Sequence, residues 1–417
     1  VFLKNGAKKM NKLLWLLVFI PLSACTVSRT TPPPTVEAET TPVLSPAENT
    51  ASPTAPVDLF GTKLLPPEEP PAFAVQEFRT DFTRHTVHYS EILSGGVPKD
   101  GIPAINEPKF LTIAQADLWL KPNEPVVWVS ANDENRAYPL QILTWHEIVN
   151  DTIGGLPLAV TFCPLCNTAI AFERTLDHRI LDFGTTGRLR FSNLIMYDRQ
   201  TESWWQQASG EGIAGHYAGQ FLVFYPATIV AWQDFRERFP DGKVLSRETG
   251  YNRPYGRNPY IGYDDINYPP FLYDGPPTPQ TLPPKARVLA IATPNEAVAY
   301  PYEVLSQVRV INDQVDGQPI LILWQKGVAS ALDTSIISEG NDVGSAAAYS
   351  RLLDNRMLTF EWSNEQVRDV ETGTRWDIFG NAVSGPLVGR QLTPVIAINH
   401  LWFSWAAFRP DTRVYTP

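Results

Sequence analysis

Cys163 and Cys166 stand in "VTFCPLCNTAIAF", between two apolar, β-branched runs, and the only other cysteine in the chain is Cys25. A Cys-Pro-Leu-Cys turn is open to three chemistries. A disulfide across it would close only a small loop and remove little chain entropy. A redox pair of the Cys-x-x-Cys kind is activated by a helix N-terminus, but "NTAIAF" reads as a strand and takes that dipole away. As metal ligands, the two thiolates form a compact bidentate grip, with His146 and Met196 as the third and fourth donors. Soft sulfur suits copper and imidazole suits copper or zinc. Zinc in a structural role takes four strong ligands, so copper is the leading expectation and zinc the lesser one.

His146 and Met196 are selected by comparing the chain with itself. "AYPLQILTWHEIVNDTIGGLPLAVTF" (137–162) resembles "AYPYEVLSQVRVINDQVDGQPILILW" (299–324), and "FERTLDHRILDF" resembles "YSRLLDNRMLTF". Further on, Thr201, Trp205, Gly215 and Gly219 match Thr372, Trp376, Gly385 and Gly389. Matches in one order over so long a span indicate internal duplication, here covering 126–245 and 286–415. Residues common to both copies serve the shared scaffold, among them Asn150-Asp151 with Asn312-Asp313, read as turn chemistry, and Asp198 with Asp369. Reactive residues in one copy alone are candidates for function. Cys163 aligns with Gln325, His146 with Val308, Met196 with Val367, and His400 with Val230.

The elements that must position these residues are mostly short strands. "PVVWVSA", "LPLAVTF", "TAIAFER" and "RILDFGTTG" are β-branched or aromatic and bounded by turn residues. "LDHR" and "LDNR" read as hairpin tips. A helix is expected over "YPLQILTWHEIVND", another over Pro226–Pro240, and a third, aromatic one opening at His400. The fold class is thus α+β and β-rich, with two lobes related by a pseudo-twofold axis. The first lobe is 79–250, the connector 251–285 and the second lobe 286–417.

Lys4, Lys8, Lys9 and Lys12 precede the apolar run "LLWLLVFIPL", which ends at "LSAC" (22–25). A basic start, a short apolar core and small residues before a Cys read as a lipoprotein signal peptide over 1–24, with Cys25 lipidated. Residues 25–78 carry eleven prolines between Pro32 and Pro71 and read as a disordered tether. The expected location is the extracytoplasmic side of a membrane, held through the lipid. Loss of four lysines leaves 34 − 4 = 30 basic residues against 44 acidic ones. That surplus argues against nucleic acid as a partner.

Several other residues are weighed. Glu147 is placed to orient His146 or to face water. His400 is a further candidate ligand, reaching the site across the lobes. His178, His216, His85 and His88 read as surface residues. Arg253 and Arg257, interleaved with Tyr255 and its neighbouring tyrosines, form a candidate ligand cradle, or else a clasp between the lobes. No phosphate loop, Gly-x-Ser-x-Gly elbow or His-Glu-x-x-His helix is present.

"WHEIVNDTIGGLPLAVTFCPLCNTAIAFER", "SNLIMYDRQTESWWQQ" and "TGYNRPYGRNPYIGYDD" resemble the bacterial family catalogued as domain of unknown function 3179. The resemblance implies a domain over most of 80–417. His146, Cys163, Cys166 and Met196 stand at its motif positions, but it implies no activity. The expected function is metal handling or electron transfer at a soft-metal site, with an unknown redox or metal-donor partner. Two alternatives stay open. One is a thiol–disulfide oxidoreductase using Cys163 and Cys166, with His146 as proton acceptor. The other is a non-catalytic binding module with structural cysteines.

Overall fold

The computed structural model describes Asp58 and residues 62–417. The expected signal peptide, Cys25 and most of the tether lie outside the described residues. The last part of the expected tether is folded. Ala72–Glu77 is a helix with Ala74 buried, and Phe78 packs edge-on against Tyr197 and Trp204 at 5.2 and 5.0 Å. Two phenylalanines and two alanines in "PAFAVQEF" give this stretch the apolar face that the proline-rich part lacks.

Among the described residues strands dominate, and the helices are no longer than seven residues. In the first lobe the hairpin Pro125–Ala131/Glu134–Pro139 leads into the helix Leu140–His146. Three antiparallel strands follow: Ile148–Ile153, Leu156–Cys163 and Thr168–Glu173. After a two-residue-strand hairpin comes a meander of Phe183–Arg190, Asn193–Asp198, Trp204–Gln206 and Glu211–Ala214. Thr228–Ala231, the helix Trp232–Arg238 and Lys243–Leu245 complete the lobe. Residues 287–414 present a similar order, from Arg287–Ala292 and the helix Tyr302–Val308 to Ile398–Leu401, the helix Trp402–Ala406 and Arg413–Val414, without a counterpart to the strand Phe224–Tyr225.

The helices are shorter than their sequences suggest, for a local reason. Glu147 takes φ = 59° and ends the first helix. Ile148 and Val149, β-branched and free to pair, then join Thr161 and Val160 in a strand. Thr228, Ile229 and Val230 likewise pair with Pro125–Ala131, so the second expected helix begins at Trp232 and not at Pro226. His400 lies in a strand, two residues before the helix that it was expected to open.

Residues matched between the lobes make matched bonds. The Asn150 side chain donates to and accepts from the Phe183 backbone at 2.8 and 2.9 Å, and Asn312 does the same with Phe360 at 2.7 and 2.8 Å. These asparagines clamp one sheet to the next, whereas turn chemistry was expected of them. The indole N–H of Trp205 donates to Asp198, and that of Trp376 to Asp369, both at 2.9 Å. Gly215 and Gly385 have φ of 102° and 106°, and a Cβ on either would meet backbone within 3 Å. Across the lobes, Thr228–Ala231 packs against Ser345–Ser350, while Ile398–Leu401 packs against Thr168–Glu173. Among the described residues no helix is long and apolar enough to cross a membrane.

Candidate functional site

Cys163 ends a strand, and Pro164–Cys166 form one 3₁₀ turn with Pro at its start. Asn167, in the left-handed region at φ = 52°, reverses the chain into Thr168–Glu173. Cys163 and Cys166 are joined as a disulfide. The pair is almost closed to solvent, at 2% and 0% exposure, in an apolar cluster with Ile170, Met196, Trp205 and Ile398. No helix follows Cys166, as expected, so no helix dipole acts on the pair. In the second lobe Gln325 and Ser345, at the places of Cys163 and Thr168, pair directly, and residues 326–344 form a long sulfur-free connection.

Polar groups of both lobes gather on the Cys166 side. The Thr168 hydroxyl donates to the Cys166 carbonyl at 3.1 Å and lies 2.9 Å from His400 Nδ1. Ser404 Oγ lies 3.2 Å from the same nitrogen and donates to Asn193 Oδ1 at 2.6 Å. Asn193 Nδ2 donates to the Phe191 carbonyl, which fixes the orientation of the amide. Both hydroxyl protons are therefore spoken for, and Nδ1 must carry the imidazole proton. His400 Nε2 is left as a buried lone pair with no partner. Burial lowers the His400 pKa to about 3, so the ring is neutral. Gln207 donates to Thr161 Oγ1 and the Thr168 carbonyl, and its own Oε1 has no partner.

His146 sits elsewhere in hydrogen-bond terms. Nδ1 lies 2.7 Å from the Pro103 carbonyl, which only accepts, so this nitrogen is protonated. Nε2 then accepts from the Tyr255 hydroxyl at 2.6 Å, and Tyr255 also meets Thr249 Oγ1. Burial lowers the His146 pKa, and Arg253 adds to the effect. The lone pair that would bind metal is engaged by Tyr255. Among the described residues no three His, Cys, Asp or Glu side chains gather as a metal-ligand set. Met196 shares the sulfur cluster. Glu147 does not face water: it is buried, desolvation alone acts on its carboxyl, and burial raises its pKa to about 8.

The connector covers this side of the first lobe. Tyr251 and Tyr255 flank the His146 ring at 5.5 and 5.8 Å. Arg253 lines a cleft of about 410 Å³ together with Tyr251, Ala104, Asn106, Arg199 and Asp100. Arg257 is not in that cleft: its carbonyl accepts from the Trp145 indole, and it bridges to Ile336. His178 and His216 are exposed. His85, expected at the surface, is fully buried, with Nδ1 2.9 Å from the Val87 carbonyl. Thr168, Ser404, Asn193 and Gln207 were not singled out by their sequence. The one signal was a polar residue beside an apolar strand or within an aromatic helix, as for Ser404 in "WFSWA".

These features define a β-rich α+β protein with a buried Cys-x-x-Cys turn. Residues 99–412 match the model of the family described as "Protein of unknown function (DUF3179)", and the chain belongs to that family. No curated protein and no solved structure matches it.

Proposed function

We propose that Cys163 and Cys166 are a reversible thiol–disulfide couple in an extracytoplasmic protein held to a membrane by a lipid on Cys25. The carrying observation is the placement of the bonded pair. It closes a ring too small to stabilise the fold appreciably, at a turn whose counterpart connects its strands without sulfur. Groups from both lobes, Thr168 and His400, converge beside it. Reduction breaks the S–S bond and forms two thiols, with two electrons and two protons supplied by a dithiol that leaves as a disulfide. The buried sulfurs require the Pro164–Leu165 turn to open before exchange. A bonded pair fits an oxidising compartment, in keeping with the basic, apolar, Cys-terminated leader. The matched bonds of Asn150 with Asn312 and Trp205 with Trp376 support descent of the lobes from one duplicated unit.

The test is equilibration of the soluble chain 62–417 in dithiol buffers of graded potential, followed by alkylation and mass measurement. A midpoint above about −300 mV, with the fold retained, is expected. A pair that yields only when the protein unfolds would overturn the proposal. Met196 in the sulfur cluster favours a second reading, in which the reduced pair and Met196 bind copper(I). Titration of the reduced chain with copper(I) tests it: one equivalent bound, and lost in Met196→Leu, is expected.

A further inference from the structure

We infer that the cleft between the loop 100–106 and the connector is a binding site for a small organic monocarboxylate with an apolar body. The charge in the cleft is unbalanced toward cation. Asp100 and Arg199 neutralise each other through two parallel bonds, both 2.9 Å. Asp100 also accepts from the Tyr197 hydroxyl, so its lone pairs face protein donors. Arg253 has no carboxylate partner among the described residues, and its Nε is buried without a hydrogen-bond acceptor. A guanidinium left in this way costs desolvation that a bidentate anion would repay.

The geometry selects a carboxylate with a body over a bare ion. Tyr251, Pro103 and Ala104 supply apolar walls. A volume of about 410 Å³ falls in the range of small-molecule sites. Asn106 accepts from Asn150 through Oδ1 at 2.8 Å, which leaves its amide N–H groups to donate to a ligand. The planar fork of arginine matches a carboxylate in two bonds at once.

The site is tied to the core beneath it. Ala104 lines the cleft and also belongs to the apolar cluster holding Cys163 and Cys166. The Pro103 carbonyl fixes His146, which in turn holds Tyr255 of the connector. The inference stands independently of the redox reading, because neither Arg253 nor the cleft wall requires the sulfurs to exchange.

The test is calorimetric titration of oxidised chain 62–417 with benzoate, at fixed ionic strength, with benzamide as the neutral isostere. Saturable benzoate binding in the millimolar range or tighter is expected, at least about tenfold weaker for benzamide. Arg253→Gln should weaken benzoate about tenfold or more, and Arg253→Lys by less, since charge survives but the fork does not. Tyr251→Ala should weaken benzoate while leaving acetate unchanged. Thermal melts establish that each variant is folded, and Arg253→Lys serves if Arg253→Gln is not. No benzoate binding, equal binding of benzamide, or unchanged affinity in a folded Arg253 variant overturns the inference. The redox midpoint, measured separately, is untouched by any of these results.

Discussion

Glu147 is the residue whose environment conflicts most with its chemistry. Its backbone is held at φ = 59° because the chain must leave a helix and enter a strand within one residue. Arg309 does the same at the equivalent point, at φ = 66°. The turn therefore belongs to the scaffold, and the carboxyl is peculiar to the first lobe. Burial raises its folded pKa to about 8 from an ordinary 4.5. Between those values the folded chain keeps a proton that the unfolded chain loses, so stability falls as pH rises through this window. The penalty at pH 7 is about 3 kcal/mol from the shift alone. Glu147→Gln should raise stability by about 1–3 kcal/mol at pH 7 to 8, since the amide is still a buried polar group. The gain should shrink toward pH 5. Urea midpoints of both chains at pH 5, 7 and 8 check this, and a difference constant with pH would refute it.

At the scale of elements, the repeated asparagine offers a controlled comparison. Asn150 and Asn312 make the same pair of backbone bonds between neighbouring sheets, but Asn150 is buried and Asn312 is exposed. Water can replace the bonds lost at Asn312 and cannot do so at Phe183. Asn150→Ala should cost about 2–4 kcal/mol and Asn312→Ala about 1 kcal/mol or less, measured as urea unfolding free energies. Equal costs would mean that burial is not what distinguishes the two clamps. The recurrence of Asn-Asp was legible in the sequence because residue identity survives in both copies. Its role was not, since a short polar side chain serves a turn or a cross-sheet clamp equally well, and only the Phe183 backbone decides. The strands around Cys163 were legible from β-branching and bounding turns. The true helix ends were not, because Ile148 and Val230 pair with strands distant in sequence, and tertiary pairing overrides local helical spacing. His400 was matched with Val230 in the sequence, yet its contact with Thr168 depends on the pairing of residues far apart in the chain.

For the whole molecule, the governing fact is that core clusters are shared between the two halves of the chain, one of them extensively. Val126, Trp128, Val230 and Trp232 of the first pack with Leu321, Tyr349, Trp376 and Phe379 of the second. Phe379 stands edge-on to Trp128 and to Phe239, each at 5.0 Å. A lobe separated from its partner would expose this apolar face. The Cys-x-x-Cys turn inherits the same dependence, since His400 arrives from the second lobe on a strand packed against Thr168–Glu173. Phe379→Ala should therefore act at a distance in sequence. The substitution removes a buried ring, a loss of about 3–5 kcal/mol. If the lobes unfold together, amide protection must fall in Pro125–Ala131 and Thr168–Glu173 as much as in Gln318–Gln325. Hydrogen exchange followed by mass spectrometry reads all three strands in one experiment. Loss confined to Gln318–Gln325 would show that the second lobe opens alone, and would separate the stability of the sulfur turn from the lobe that supplies its histidine.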